Sequence, residues 1–320
     1  MPGMNETAYK MAEEMINNSD IINIRSEWLS CGATVIDAGV NIEGSFEAGK
    51  YFSEICMSGM GKVEFCELEF DDFSIPGVKV SVNMPVLACM GSQYAGWSIK
   101  VEREEKKPYQ AMGSGPARAL YNREDILKKL GIREQADRAV LLLENSKLPD
   151  EEVALWTAGK CNVSPDKLIL ITAPTASIVG SIQIAARVVE TGLHKMMETG
   201  FDINFITSGF GVCPLAPIAE NDLKAIGRTN DAVLFGGRAW YTANCGGEPI
   251  ERVIDKLPSS ASSDYGTPFY DLFKRYDYDF YKIDPMLFSP AEISINDTGT
   301  GRIFRAGKVN MDLLKQGLFS

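Results

Sequence analysis

A chain of 320 residues, 45% hydrophobic and 23% charged, has the make-up of an ordinary globular protein and a length that suits one large or two closely joined domains. Its formal net charge of −11, with no cluster of Lys and Arg, argues against nucleic acid as a partner, because phosphate binding needs a basic face. No apolar run approaches the roughly 20 residues of a membrane helix, and seven cysteines without a CxxC spacing read as buried thiols, not as a disulfide framework or a zinc site.

Residues 4–18 predict an amphipathic, acidic helix without the apolar core of a signal peptide, which makes the cytoplasm the expected location. Strand-like patterns follow at 33–40, 54–70 and 78–91, with an Ile-Pro-Gly turn expected at 75–77. KVEREEKK (100–107) alternates in sign and reads as a solvated segment. Beyond it come a polar helical stretch at 123–135, a buried strand at 138–145 and a helix opened by the acidic LPDEE. DKLILITA then joins a second buried strand to a long helix over 178–193, so 138–199 has the rhythm of an α/β unit. A strand at 204–217, a short helix at 220–227, one strand or a pair at 232–245 and an aromatic tail follow, closed by a hairpin around TGTGR (298–302). The class is mixed α/β (α+β), neither Rossmann nor P-loop: GSGPAR lacks the third glycine of GxGxxG, and no GxxxxGK[ST] occurs. Pattern shifts divide the chain into 1–122 plus 230–320 and 123–229.

Three glycine segments follow apolar stretches: GSQYAGW (91–97), GSGPARA (113–119) and SGFGVCP (208–214). Small residues let a backbone approach a ligand, exposed amides hold anions, and Arg118 can add a charge-assisted bond. Taken singly, each segment reads more readily as a tight loop in which glycine supplies a positive φ. Together they suggest the lining of one cleft.

The long helix carries the sharper signal. Pro174 blocks helix ahead of it, Thr175 or Ser177 can cap it, and Gly200 can stop it. Its composition calls for burial on most sides, yet Gln183, Arg187 and Glu190 lie at i, i+4 and i+7 along one stripe. The plain reading is a solvent-facing stripe with an i,i+3 ion pair. The other is a stripe facing a cleft, where a carboxylate beside a guanidinium is a tunable acid/base, its pKa raised by burial and lowered by the arginine. His194, the chain's one histidine, lies on the same helix and suits a dipole partner better than a catalyst. No metal site is expected. In YDFYKIDPMLFSP (278–290) the aromatic faces suit a core or a flat heterocycle.

Several segments, in order, resemble the methenyltetrahydromethanopterin cyclohydrolase family of methanogenic archaea: MGSGPARA, APTASIVGS followed by R-x-x-E, ENDLKA-x-G-x-TND (220–231), SSDYGTPFY (262–270) and YDFYKIDPMLFSPA (278–291). The resemblance runs over nearly the whole chain. It implies interconversion of N5,N10-methenyl-tetrahydromethanopterin and water with N5-formyl-tetrahydromethanopterin, without a metal or other cofactor. It also implies two tightly joined domains with the pterin in a cleft between them, and a homo-oligomer, a trimer in the best-known form. The family's catalytic R-x-x-E falls on Arg187 and Glu190. Glu190 is then general base and afterwards acid, and Arg187 orients and tunes it. Gly91, Ser92, Gln93, Ser114, Gly115, Arg118, Thr175, Ser177, Gln183 and Lys282 are the candidate substrate contacts. A pterin carrier with a merely structural Arg–Glu pair, or an amidohydrolase acting on another cyclic amidine, are the alternatives, and the full-length resemblance argues against both.

Overall fold

The computed structural model describes residues 3–70, 73–104, 106–279 and 282–319. In chain order its strands are β1 (Arg25–Trp28), β2 (Thr34–Asp37), β3 (Gly61–Phe70), β4 (Phe73–Val82), β5 (Trp97–Arg103), β6 (Lys106–Ser114), β7 (Ala139–Glu144), β8 (Leu168–Ala173), β9 (Ile206–Pro214), β10 (Arg238–Ala243), β11 (Glu292–Asp297) and β12 (Arg302–Gly307). Its helices are α1 (Met4–Asn17), α2 (Ser19–Ile22), α3 (Phe46–Cys56), α4 (Ala117–Tyr121), α5 (Asp125–Lys129), α6 (Glu151–Cys161), α7 (Ile178–Ala185), α8 (Val188–Glu198), α9 (Asp222–Asp231), α10 (Glu248–Glu251), α11 (Phe269–Arg275) and α12 (Met311–Phe319). The fold is mixed α/β, and the chain forms two compact units: residues 1–60 with 87–183, and residues 61–86 with 184–320.

The first unit is built on a sheet of order β1-β2-β8-β7-β6-β5, in which β2, β8 and β7 run parallel. Parallel strands are covered on both faces and therefore read as unbroken apolar runs; β8 is buried at every residue. One face packs Ile36, Val140, Leu142, Ile169 and Ile171 against Ala8, Ala12 and Met15 of α1 and Phe52 and Ile55 of α3. The other packs Val35, Leu141, Leu143, Leu168 and Leu170 with Val153, Ala154 and Ala158 of α6.

The second unit holds a sheet of order β12-β11-β10-β9-β4-β3, antiparallel except between β10 and β11. Burial alternates along β4 and β10, as expected of strands with one covered face. On that covered face Val188 and Val189 of α8 press onto Gly209 and Gly211 of β9: a Cβ at Gly211 would meet Val188 at 2.5 Å and one at Gly209 would meet Val189 at 2.6 Å. Glycine here is a requirement of close approach, not of backbone conformation.

Several local expectations differ from this architecture. The units do not follow 1–122 plus 230–320 against 123–229, because β2 pairs with β8 and the β3–β4 hairpin pairs with β9. Ile75–Gly77 makes no turn. It lies inside β4, where Gly77 pairs with both Cys66 and Pro214; pairing with β9 ends there, so Pro76 sits where an absent N–H is tolerated. Residues 54–56 close α3, residues 86–93 are helical, and 123–135 holds only the short α5. Residues 100–103 and 106–107 lie at the turn end of the β5–β6 hairpin. The single helix over 178–193 is two, divided at Ala186 and Arg187. The hairpin at 298–302 joins β11 to β12.

Candidate active site

Helix α8 opens at Arg187, whose backbone (φ −83°, ψ 2°) departs from helical geometry and whose N–H bonds back to Ile184 O, three residues away. That tightened turn ends α7 and restarts the helix with Glu190 in its first turn, where a carboxylate suits the unpaired amides. The Arg187 Nη1 stands 3.7 Å from Glu190 Oε2, with both side chains largely buried. Glu190 is 4% exposed. The plain reading of a solvent-facing stripe therefore fails: the pair is held inside. Its backbone is fixed from below by the glycine floor of β9. From the side, the Tyr241 hydroxyl donates to Val189 O at 2.8 Å, close enough that a Cβ at Gly192 would overlap the phenol oxygen. At the far end Gly200, at φ +82°, stops α8 as expected, its N–H bonding to Met197 O.

The β8–α7 turn has its own polar framework, in the first unit. Ser177 Oγ accepts from Gly180 N at 2.9 Å and donates to Pro174 O at 2.7 Å, so Ser177 is the N-cap of α7. Gly180 has no room for a Cβ, which would lie 2.1 Å from Pro174 O. Thr175 Oγ1 donates to Glu144 Oε1 at 2.5 Å, and Gln183 Nε2 donates to Glu144 Oε2 at 3.1 Å. Sequence reasoning missed Glu144. It ends an apolar strand and belongs to no motif, and only the parallel register that sets it beside Ala173 brings it to this turn.

The glycine segments at 91–97 and 113–119 do come together, also in the first unit, and chiefly around one another. Gly115, at φ +100°, donates its N–H to Ser92 O at 2.8 Å. Ser92 Oγ bonds Cys56 O at 2.6 Å and Ser58 Oγ at 2.8 Å, and the Cys56 thiol reaches Ser114 Oγ at 3.3 Å. Gly91 faces Leu87 and Ile132, and Gln93 is buried. Arg118, fully buried, donates to both Glu124 oxygens (2.8 and 2.5 Å), to Met90 O at 3.1 Å and to Ser92 O at 2.9 Å, with its guanidinium 5.3 Å from the Tyr94 ring centroid. An anion would have to displace Glu124 to reach it. The third segment, 208–214, is no loop; it lies within β9 in the second unit.

Lys282 is exposed, 3.7 Å from Asp277. Of the aromatic tail, Phe269 and Phe273 are core residues, while Phe280 and Tyr281 lie outside the described residues. His194 Nε2 stands 3.7 Å from Glu198 one turn on, in keeping with a role near the helix C-terminus. Sequence reasoning also passed over Lys195, fully buried on α8. Its ammonium donates to Met286 O, and desolvation draws its pKa down to about 8 against the pull of Asp284. Among the described residues no helix is long and apolar enough to cross a membrane, and no three His, Cys, Asp or Glu gather as metal ligands.

The class of protein is given by comparison with known proteins. Residues 3–318 match the family model described as Cyclohydrolase (MCH). The methenyltetrahydromethanopterin cyclohydrolase of Methanocaldococcus jannaschii is 46% identical over 99% of this chain and 98% of its own length. That of Methanothermobacter marburgensis is 45% identical over 98% of each chain, and that of Methanococcoides burtonii 42% over 98% of this chain and 97% of its own. The chain belongs to the cyclohydrolase (MCH) family and is an enzyme, a hydrolase acting on C–N bonds.

Proposed function

We propose that the enzyme interconverts N5,N10-methenyl-tetrahydromethanopterin and N5-formyl-tetrahydromethanopterin in the one-carbon metabolism of methanogenesis, with Glu190 as the proton-transfer group. The methenyl carbon is an amidinium-like cation, electrophilic without a Lewis acid, so the reaction needs no metal or prosthetic group. Glu190 takes a proton as water attacks that carbon, leaving a neutral carbinolamine. The protonated carboxyl then delivers its proton to N10 as the C–N10 bond breaks. As the formyl carbonyl forms, the hydroxyl proton passes through the carboxylate to solvent. One proton is released overall, so acid favours the methenyl form. Arg187 stays charged throughout; it orients Glu190 and stabilises its ionised form.

The assignment rests on the buried Arg187–Glu190 approach at 3.7 Å. This is close enough for one charge to govern the other. A homotrimer is part of the same reading, measurable by sedimentation. The deciding experiment follows the ultraviolet band of the methenyl substrate with wild type and a folded Glu190→Gln variant. Loss of a positioned acid/base is expected to slow turnover about 10²- to 10⁴-fold. Equal rates would remove Glu190 from the chemistry, and no turnover by wild type would refute the reaction.

A further inference from the structure

A cavity of about 260 Å³ opens among α9, α11 and α12, wholly within the second unit, and its lining holds neither Arg187 nor Glu190. Its most deeply buried charge is Asp231, 1% exposed at the end of α9. Asp231 Oδ1 accepts from Phe269 N at 2.8 Å, whereas among the described residues no group donates to Oδ2. Helix α12 makes room for that second oxygen: a Cβ at Gly317 would lie 2.3 Å from it. Burial raises the Asp231 carboxyl well above its ordinary 3.8; the Phe269 amide pulls it back, and the Asp271 charge raises it again. A buried carboxylate with one oxygen unfilled is stabilised by a charged donor brought to it.

Lys224, Arg228 and Asp231 stand at i, i+4 and i+7 along α9, and all three line the cavity. The stripe has cations toward one end and a carboxylate, joined by Asp271 of α11, at the other. Lys224 meets Glu220 at 2.8 Å, but that pair is exposed and worth little, so its ammonium is available to a ligand. We propose that the cavity binds a small zwitterion, its ammonium on Asp231 and its carboxylate on Lys224 and Arg228. A simple anion would face two carboxylates and a simple cation two basic side chains; a ligand with both charges satisfies both ends. The helix sets the ligand's length. At about 1.5 Å per residue, Arg228 and Lys224 lie about 4.5 and 10.5 Å along the axis from Asp231. An ω-amino acid with about five methylenes spans that interval, whereas the adjacent charges of an α-amino acid do not.

The test is calorimetry on the whole enzyme with 6-aminohexanoate as the probe, beside hexylamine, hexanoate and glycine. Wild type is expected to bind the probe at least about tenfold tighter than any of the three. Asp231→Asn keeps an oxygen for Phe269 N but removes the charge, and should weaken the probe at least about tenfold. Lys224→Gln, changed at the solvent side, should weaken it about threefold. No binding of the probe by wild type at about 10 mM, equal binding of a singly charged compound or of glycine, or an unchanged affinity in Asp231→Asn would each overturn the proposal. If Asp231→Asn does not fold, the wild-type preference and Lys224→Gln decide. Binding is read without turnover, so the outcome is independent of the reaction proposed for Glu190.

Discussion

Two guanidinium–carboxylate pairs, one in each compact unit, use the same chemistry to opposite ends. Arg118 grips Glu124 through two bonds of 2.8 and 2.5 Å and spends its other terminal nitrogen on two carbonyls. Arg187 approaches Glu190 with one nitrogen at 3.7 Å, beyond hydrogen-bond length. The first is closed, and its worth lies in tying the 113–119 loop to the 91–97 loop. The second sets one charge beside another at longer range, which suits the proton-transfer role proposed for Glu190. Burial and pair type do not set the two pairs apart; geometry does.

The sharpest way to break the comparison is Arg118→Met. Removing one partner leaves Glu124 and two carbonyls buried without their donor, and such losses cost about 3–5 kcal/mol; the denaturant midpoint should fall accordingly. A stability within about 0.5 kcal/mol of wild type would deny the clasp. Lys195 offers a third buried cation, held less well than either. Its folded-state pKa of about 8 lies below the ordinary 10.5, so between those pH values the unfolded chain binds more protons and stability rises with pH. Below about pH 8 the full penalty applies, at most about 3 kcal/mol. Urea midpoints from pH 7.5 to 10 should therefore climb more steeply for wild type than for Lys195→Met, and parallel curves would refute the shift. The smallest change is expected in the pair proposed for proton transfer. Arg187→Gln should lower kcat about 10- to 100-fold and move the base limb of its pH profile to higher pH, since the carboxylate loses the charge that favours ionisation. An unmoved limb would leave Arg187 no tuning role.

Elements whose reasons are local were legible in the sequence: α1, the apolar β7 and β8, the Gly200 stop and the β11–β12 hairpin. Arg187 and Glu190 were likewise legible as neighbours, because a three-residue spacing in helix sets them on one side. What was not legible depends on pairing across the chain. The strand pattern that begins at residue 78 gives no sign of running back through Gly77 until β3 and β9 are set on either side of it. Arg118 reads as a free cation until the loop returns Glu124 beneath it. Glu144 acquires a meaning only from the register that puts it beside Ala173. The division between α7 and α8 is hidden for another reason: no Gly or Pro marks it, and the turn is made by one backbone bond from Arg187 to Ile184.

The glycine floor of β9 has a consequence for the medium in which this enzyme can work. Ions screen charge–charge attraction within about 10 Å at 0.1 M salt, and a chain of net charge −11 feels that screening over much of its surface. The backbone that carries Glu190, however, is located by valine methyls resting on Gly209 and Gly211, and repulsion between atoms in contact does not depend on ionic strength. Salt can thus alter how fast a charged ligand arrives while leaving unmoved the scaffold that carries Glu190.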